Sequence, residues 1–231
     1  LMSGDLVSIV ARPGMGKTYL LLKMAEAAAS LGFSVLVVSM ELTIEQMVRR
    51  YSALSCGINP EYLRRGTLSV YAERRLRDHM DQLAYIDNVH FLSGGFNKTP
   101  DDVDLLVQEY NPDIVYIDGA YLMKPAQRRP NASRIEVVAE VFDSLKQMTL
   151  TRRIPVVVTT QLNRMAGKKG KDSSLETIAY SDTIATHSSL VISLQEGEAP
   201  YQKTRRTLSF LKGREGESGD YAIHYEFTPI N

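Results

Sequence analysis

At 231 residues the chain has room for one large domain or two small ones. Hydrophobic residues make up 44% and charged residues 23%, the balance of a globular protein with a real core. Twenty-seven basic residues offset twenty-seven acidic ones, which excludes a global field drawing the chain onto nucleic acid or membrane. Any polyanion contact must come from local clusters, so the position of each basic run matters more than the total.

A single cysteine, Cys56, excludes an intrachain disulfide and a cysteine-based zinc site. Within Leu54-Ser55-Cys56 it is expected as a small core residue, in keeping with a reducing cytoplasm. No apolar run approaches the roughly 20 residues that span a bilayer. The first residues lead straight into a strand and carry no signal-peptide pattern. Because the chain begins at Leu1 rather than methionine, it is expected to be a piece of a longer protein.

Taken in order, Leu6 to Val10 is a short apolar run, followed by a glycine-containing turn and a helix from Thr18 to about Ser30, with Gly32 as its stop. Val35 to Ser39 is a second, valine-rich strand. Thr43 then caps a helix reaching Ser55, and Gln46 at the third helical position completes a capping box. A polar helical region covers about Pro60 to Tyr85, its arginine pairs Arg64, Arg65 and Arg74, Arg75 facing solvent. Val89 to Leu92 is predicted as strand, Asp101 to Tyr110 as helix, Ile114 to Asp118 as buried strand, Ile135 to Thr149 as helix and Ile154 to Thr160 as strand. This alternation implies an α/β fold with a mainly parallel sheet flanked by helices. After Ser188 the pattern changes to Leu190 to Leu194, Arg206 to Leu211 and Tyr221 to Phe227, read as an antiparallel C-terminal extension of the same sheet. No internal repeat is present, and Gly167 to Lys171 reads as a loop rather than a linker between domains.

Residues 11 to 18 read Ala11-Arg12-Pro13-Gly14-Met15-Gly16-Lys17-Thr18. This is a P-loop except that Ala11 stands where the strict pattern has glycine. Gly14 and Gly16 let backbone N–H groups turn inward around a phosphate, and the following helix offers its positive end. Lys17 would reach the β- and γ-phosphates of ATP, and the Thr18 hydroxyl would ligate Mg2+. Asp118, closing four apolar residues, supplies the strand-end acid that holds the metal, usually through water. Many such sites place a glutamate immediately after this aspartate, but here Gly119 follows. The group that orients or deprotonates water must come from elsewhere, and Glu41 at the end of the second strand is the candidate. Its bland alternative is a carboxylate favoured by the dipole of the helix beginning near Thr43.

Several segments together resemble one family. From about Ser3 to Phe227 the sequence is similar to the RecA-like motor domain of DnaB-type replicative helicases of bacteria or their phages. The resemblance rests on the Ala11-Arg12-Pro13 start of the P-loop, Ser39-Met40-Glu41-Leu42, and Ile117-Asp118-Gly119-Ala120-Tyr121-Leu122-Met123. It also rests on Thr160-Gln161-Leu162-Asn163-Arg164 and Lys212-Gly213-Arg214-Glu215-Gly216. It implies Glu41 as general base and Gln161 as sensor of the γ-phosphate. Lys212 and Arg214 would complete a neighbouring subunit's site, Arg214 as arginine finger. Single-stranded DNA would be tracked by two basic loops, one with Lys124, Arg128 and Arg129, the other with Arg164, Lys168, Lys169 and Lys171. Neither loop offers an aromatic stacking platform, so backbone tracking is expected.

The resemblance further implies one motor domain over residues 1–231, a homo-hexamer in the full-length protein, and primase and a helicase loader as partners. Work would be in the cytoplasm of a bacterial cell or a phage-infected host. The family's N-terminal collar and linker helix have no counterpart here, so this piece alone is expected to be monomeric. Between Ser173 and Val191 the family's Arg-Glu-Ser-Gly-like turn and acidic pair are replaced by Leu175-Glu176-Thr177-Ile178-Ala179-Tyr180-Ser181-Asp182 and His187-Ser188-Ser189-Leu190. Two alternatives stand beside the helicase motor. One is a RecA- or RadA-like recombination ATPase, which forms filaments. The other is a nucleotide switch that hardly turns over, although Glu41, Gln161 and Arg214 together make a fuller hydrolytic set than a switch needs.

Overall fold

The structure, a computed structural model, describes residues 1–126, 131–161, 181–196, 204–213, 216 and 218–225. The chain runs β1 (Leu6–Ala11), α1 (Lys17–Ser30), β2 (Val35–Ser39), α2 (Ile44–Ser55), α3 (Pro60–Arg65), α4 (Val70–Ile86), β3 (Val89–Ser93) and α5 (Pro100–Tyr110). It continues through β4 (Ile114–Asp118), α6 (Arg134–Arg152), β5 (Val156–Gln161), α7 (Ser181–His187), β6 (Leu190–Glu196), β7 (Arg205–Lys212) and β8 (Gly219–His224). The strands form one sheet in the order β3-β2-β4-β5-β1-β6-β7-β8.

The central strands are apolar throughout because both faces of the sheet are covered. Alternate residues serve the two sides. Leu6, Val10, Leu36, Val38, Val115 and Ile117 pack with Val103 of α5 and Phe142 of α6. Val7, Ile9, Val35, Val37 and Tyr116 pack with Leu21 and Leu22 of α1 and Met47 of α2. The connection leaving β1 therefore crosses one face, while those leaving β2 and β4 for β3 and β5 divide between the two. The carboxyl end of β1 lies where connections part, the place in such sheets where ligands bind.

Local sequence explains most helix boundaries. Thr43 and Gln46 form the expected capping box, and Thr99 with Asp102 and Ser133 with Glu136 form two more. Such caps are each worth about 1 kcal/mol. Helix α1 ends as expected at Gly32 (φ +88°), where Phe33 N–H donates to Ala28 O at 3.2 Å and Gly32 N–H to Ala29 O at 2.9 Å. Cys56 is buried, as expected.

Three expectations are corrected. The region read as one helical stretch from Pro60 to Tyr85 is two helices, because Gly66 (φ +67°) closes α3 and Ser69 caps α4. Leu190 to Leu194 is not antiparallel: β6 runs parallel to β1, Val7 opposite Leu190 and Ala11 opposite Leu194. The reason is α7, a helix that the sequence pattern did not reveal, whose Ile184 is buried and which returns the chain to the same starting edge as β1. Only β7 and β8 form the antiparallel extension. Strand β5 also begins two residues later than expected, at Val156, and β8 ends at His224, Phe227 lying outside the described residues.

Candidate nucleotide site

The turn between β1 and α1 is a phosphate cradle. Gly14 and Gly16 hold φ of +79° and +97°, conformations that L side chains rarely adopt. Gly16 is the N-cap of α1, and no side chain caps the helix there. The first N–H groups of the helix are thus directed at the cradle, as an anion site requires. Lys17 is buried, and its Nζ lies 3.4 Å from both Ala11 O and Arg12 O. At that length the bonds are weak, so the ammonium is loosely tied over its own loop. Burial holds its pKa below the usual lysine range, while the charges of Glu41 and Asp118 act in the opposite sense.

Asp118, 2% exposed, ends β4 beside the cradle. Thr18 Oγ1 sits 3.0 and 3.1 Å from its two carboxylate oxygens. Thr159 of β5 donates to Asp118 Oδ1 at 2.8 Å and accepts from Gly119 N–H at 2.8 Å. Ser39 closes the other side at 3.5 Å. Burial pushes the Asp118 carboxyl above the usual carboxylate range; the Thr159 bond opposes this, and the nearby Glu41 charge adds to it. A hydroxyl beside a buried carboxylate forms a hard-oxygen set that fits Mg2+. Among the described residues no group of three His, Cys, Asp or Glu side chains could hold a metal alone. Magnesium here would lean on nucleotide phosphates, its usual habit.

Glu41 lies two residues beyond the end of β2 rather than on it. Ser39 Oγ shapes this turn, accepting from Glu41 N–H at 3.2 Å and Leu42 N–H at 2.9 Å. The Glu41 side chain is exposed, and Tyr121 Oη donates to its Oε1 at 2.7 Å. Gln161, at the end of β5, lies opposite Ala11 and bonds the Tyr121 hydroxyl. The structure therefore brings together the loop from Ala11 through Arg12, Pro13, Gly14, Met15 and Gly16 to Lys17 and Thr18, with Glu41, Asp118 and Gln161.

Lys212 is elsewhere. It opposes Val191 near the start of β6, whereas the loop leaves β1 at the level of Leu194. Its Nζ donates to Ala185 O and, at 2.9 Å, to Ser188 O, satisfying carbonyls at the end of α7. Lys124 follows β4 but is engaged by Asn97 Oδ1, and its N–H donates to Lys98 O at 3.0 Å. Arg214, Arg128, Arg129, Arg164, Lys168, Lys169 and Lys171 lie outside the described residues.

Four residues of the site were not foreseen from the sequence. Thr159 and Tyr121 are noted above; a pair of threonines after three valines, and a tyrosine three residues after Asp118, were the available signals. Tyr225 and Arg206 left none, because the chain beyond β8 turns back onto the P-loop. Tyr225 Oη donates to Gly16 O at 3.1 Å, and Arg206 Nε to Met15 O at 3.4 Å. The Arg206 guanidinium lies 5.8 Å from the Tyr225 ring centre. A Cβ on Gly16 would stand 2.6 Å from the tyrosine ring, so glycine serves both the turn and this contact.

Comparison with known proteins agrees with this geometry. Among solved structures, a helicase ATPase domain superposes with a TM-score of 0.88 at 20% identity, covering 100% of this chain and 86% of that one. A DnaB-like replicative helicase, described with its interactions with primase, gives 0.85 at 21% identity over 97% of this chain and 56% of that one. These likenesses establish the fold, that of RecA-like helicase ATPase domains. The replicative DNA helicase DnaB of Rickettsia typhi is 26% identical over 224 residues, 88% of this chain and 43% of the relative. The replicative DNA helicase DnaC of Bacillus subtilis is 26% identical over 231 residues, 96% of this chain and 50% of the relative. The chain thus spans half or less of the length of these relatives. The family model of the DnaB-like helicase C-terminal domain matches residues 1–229, and the chain belongs to that family.

Proposed function

We propose that the chain is a single ATP-hydrolysing motor domain that drives translocation along single-stranded DNA and duplex unwinding within a hexameric replicative helicase. The observation that carries this reading is the meeting, at one sheet edge, of the Lys17 cradle, the Thr18–Asp118 pair and the Glu41 carboxylate in a member of this family. The cradle amides and Lys17 would bind the ATP phosphates, and Arg206 and Tyr225, stacked beside the loop, would flank the base. Thr18 and Asp118 would hold Mg2+, which when bound neutralises charge on the phosphate oxygens. Glu41 would orient water and accept its proton. Gln161 would register the terminal phosphate and pass its presence to the loop that follows β5.

Lys212, facing away from its own chain's cradle, is read with Arg214 as serving the neighbouring subunit. Lys124, Arg128 and Arg129, and Arg164, Lys168, Lys169 and Lys171, follow β4 and β5 and would track DNA phosphates. Primase and a loader are the expected partners, in the cytoplasm of a bacterial cell or a phage-infected host; among the described residues no helix is long and apolar enough to cross a membrane. The test is ATP hydrolysis by the full-length protein with and without single-stranded DNA across a salt series, beside Lys17→Ala. Stimulation that fades with salt, and its loss in the variant, is expected. Hydrolysis indifferent to DNA would refute the motor reading, and unchanged turnover in Lys17→Ala would remove the nucleotide site.

A further inference from the structure

We infer that Tyr121 is a positioning residue for hydrolysis, its hydroxyl holding the Glu41 carboxylate in place and tying it to Gln161. The inference rests on the reading of Glu41 as the group that activates water. Three observations support it.

The first is geometric. Tyr121 Oη donates to Glu41 Oε1 at 2.7 Å, a short bond to a charged acceptor. The Gln161 amide bonds the same hydroxyl. The phenol therefore donates to one residue while accepting from the other, and joins two side chains that lie far apart in the sequence.

The second is the contrast in rigidity. Glu41 is exposed and sits on a turn, so its side chain has rotamers to choose from. Tyr121 stands on a firm base. It is the middle residue of a 3-10 turn, Ala120–Leu122, with Ala120 0% and Met123 2% exposed on either side. Arg134 at the start of α6 donates to Tyr121 O at 2.8 Å. The fixed residue restrains the loose one.

The third is protonation. Burial, with the adjoining Glu41 and Asp118 charges, pushes the phenol well above its ordinary range, so it stays an O–H donor at any pH at which the protein works. Glu41 is then held by a neutral donor that leaves its negative charge intact for accepting a proton.

ATP hydrolysis by Tyr121→Phe, Glu41→Gln and the double variant tests the inference, with nucleotide affinity measured alongside. Phenylalanine keeps the ring and removes only the hydroxyl. The expected result is a fall of about tenfold in kcat with KM within about twofold, the mark of an interaction that matters after binding. In the Glu41→Gln background the same change is expected to have little further effect, because both act through one carboxylate. A normal kcat in Tyr121→Phe beside a slow Glu41→Gln overturns the positioning role alone. Losses that multiply in the double variant, or a raised KM at unchanged kcat, overturn it as well. Parent-like turnover in Glu41→Gln removes the base assignment itself, and the role of Tyr121 with it.

Discussion

Gly119→Ala perturbs the base without touching it. Gly119 holds φ of +86°, and a Cβ there would lie 3.0 Å from Glu41 Cγ, 3.2 Å from Glu41 Oε1 and 3.4 Å from Met40 Cβ. The left-handed backbone alone costs an L residue roughly 1 kcal/mol. Something must also move by a few tenths of an ångström. Met40 is 2% exposed, and the Gly119 N–H is held by Thr159 Oγ1 at 2.8 Å, so neither yields easily. Glu41 is exposed and flexible, and it is the group displaced, off its 2.7 Å bond to Tyr121. Misplacing a reacting group by about 1 Å costs on the order of 10²-fold. The variant is therefore expected to lose roughly 10- to 100-fold in kcat and about 1–2 kcal/mol in unfolding free energy, while nucleotide affinity stays within about threefold. Gly32→Ala is the control: its φ is +88°, but nothing lies within 4 Å of the new Cβ. It should lose a similar stability and no activity. Steady-state hydrolysis, nucleotide titration and urea denaturation of both variants decide the matter. A folded, nucleotide-binding Gly119→Ala that hydrolyses ATP at the parent rate would refute the placement of Glu41 in the chemistry.

Two further predictions concern support rather than chemistry. Thr159→Val keeps the side-chain shape but removes the donor to Asp118 and the acceptor of Gly119 N–H, each at 2.8 Å. Both partners are buried, so a stability loss of about 1–3 kcal/mol is expected by urea denaturation, and an unaltered midpoint would count against this network. Arg152 grips Asp104 through both carboxylate oxygens at 2.7 Å, joining α6 to α5, and holds the Asp104 carboxyl below the usual range. A depressed folded pKa means that the bond contributes above the unfolded value, about 3.9, and is lost as pH falls through the lower folded value. Asp104→Asn should therefore cost about 0.5–1 kcal/mol near neutral pH, and the gap should close below about pH 4. A gap that persists undiminished at about pH 2.5 would show that the pair does something other than bind charge.

What could be read from the sequence was whatever is local. The P-loop announces itself because Gly14, Gly16, Lys17 and Thr18 follow directly on an apolar strand. Asp118 does so by closing a run with no other polar side chain save a tyrosine hydroxyl, and the Thr43–Gln46 cap needs only a single turn of chain. Strand direction is different. Periodicity marks Leu190 to Leu194 as a strand, but its partner and sense depend on how the chain arrives. Helix α7, which brings it there, is short and mostly polar in sequence, with Ile184 as its buried apolar residue. The same limit hid Tyr225 on Gly16 across 209 positions and Tyr121 on Glu41 across 80. Lys212 carried a role through resemblance alone, and nothing in its neighbours foretold its bonds to the end of α7.

The electrostatics of the site bear on why such a domain would work in a ring. Lys17 faces two carboxylates, Glu41 and Asp118, and both raise its affinity for its proton. Asp118 is itself uncomfortable, pushed upward by loss of water and by Glu41 as well. A site with this balance favours a cation before it favours a polyphosphate. A hard divalent ion between Thr18 and Asp118 would relieve the aspartate, but charge on the transferred phosphoryl group still has to be met. Along β7 the chain carries a lysine to the edge of the sheet opposite its own cradle, where Lys212 binds the carbonyls of Ala185 and Ser188. From there it cannot answer its own phosphates. A neighbour's cations meeting this chain's cradle, and this chain's Lys212 and Arg214 meeting the next, would give each subunit the positive charge that its own fold directs elsewhere, so that hydrolysis would report assembly as well as nucleotide.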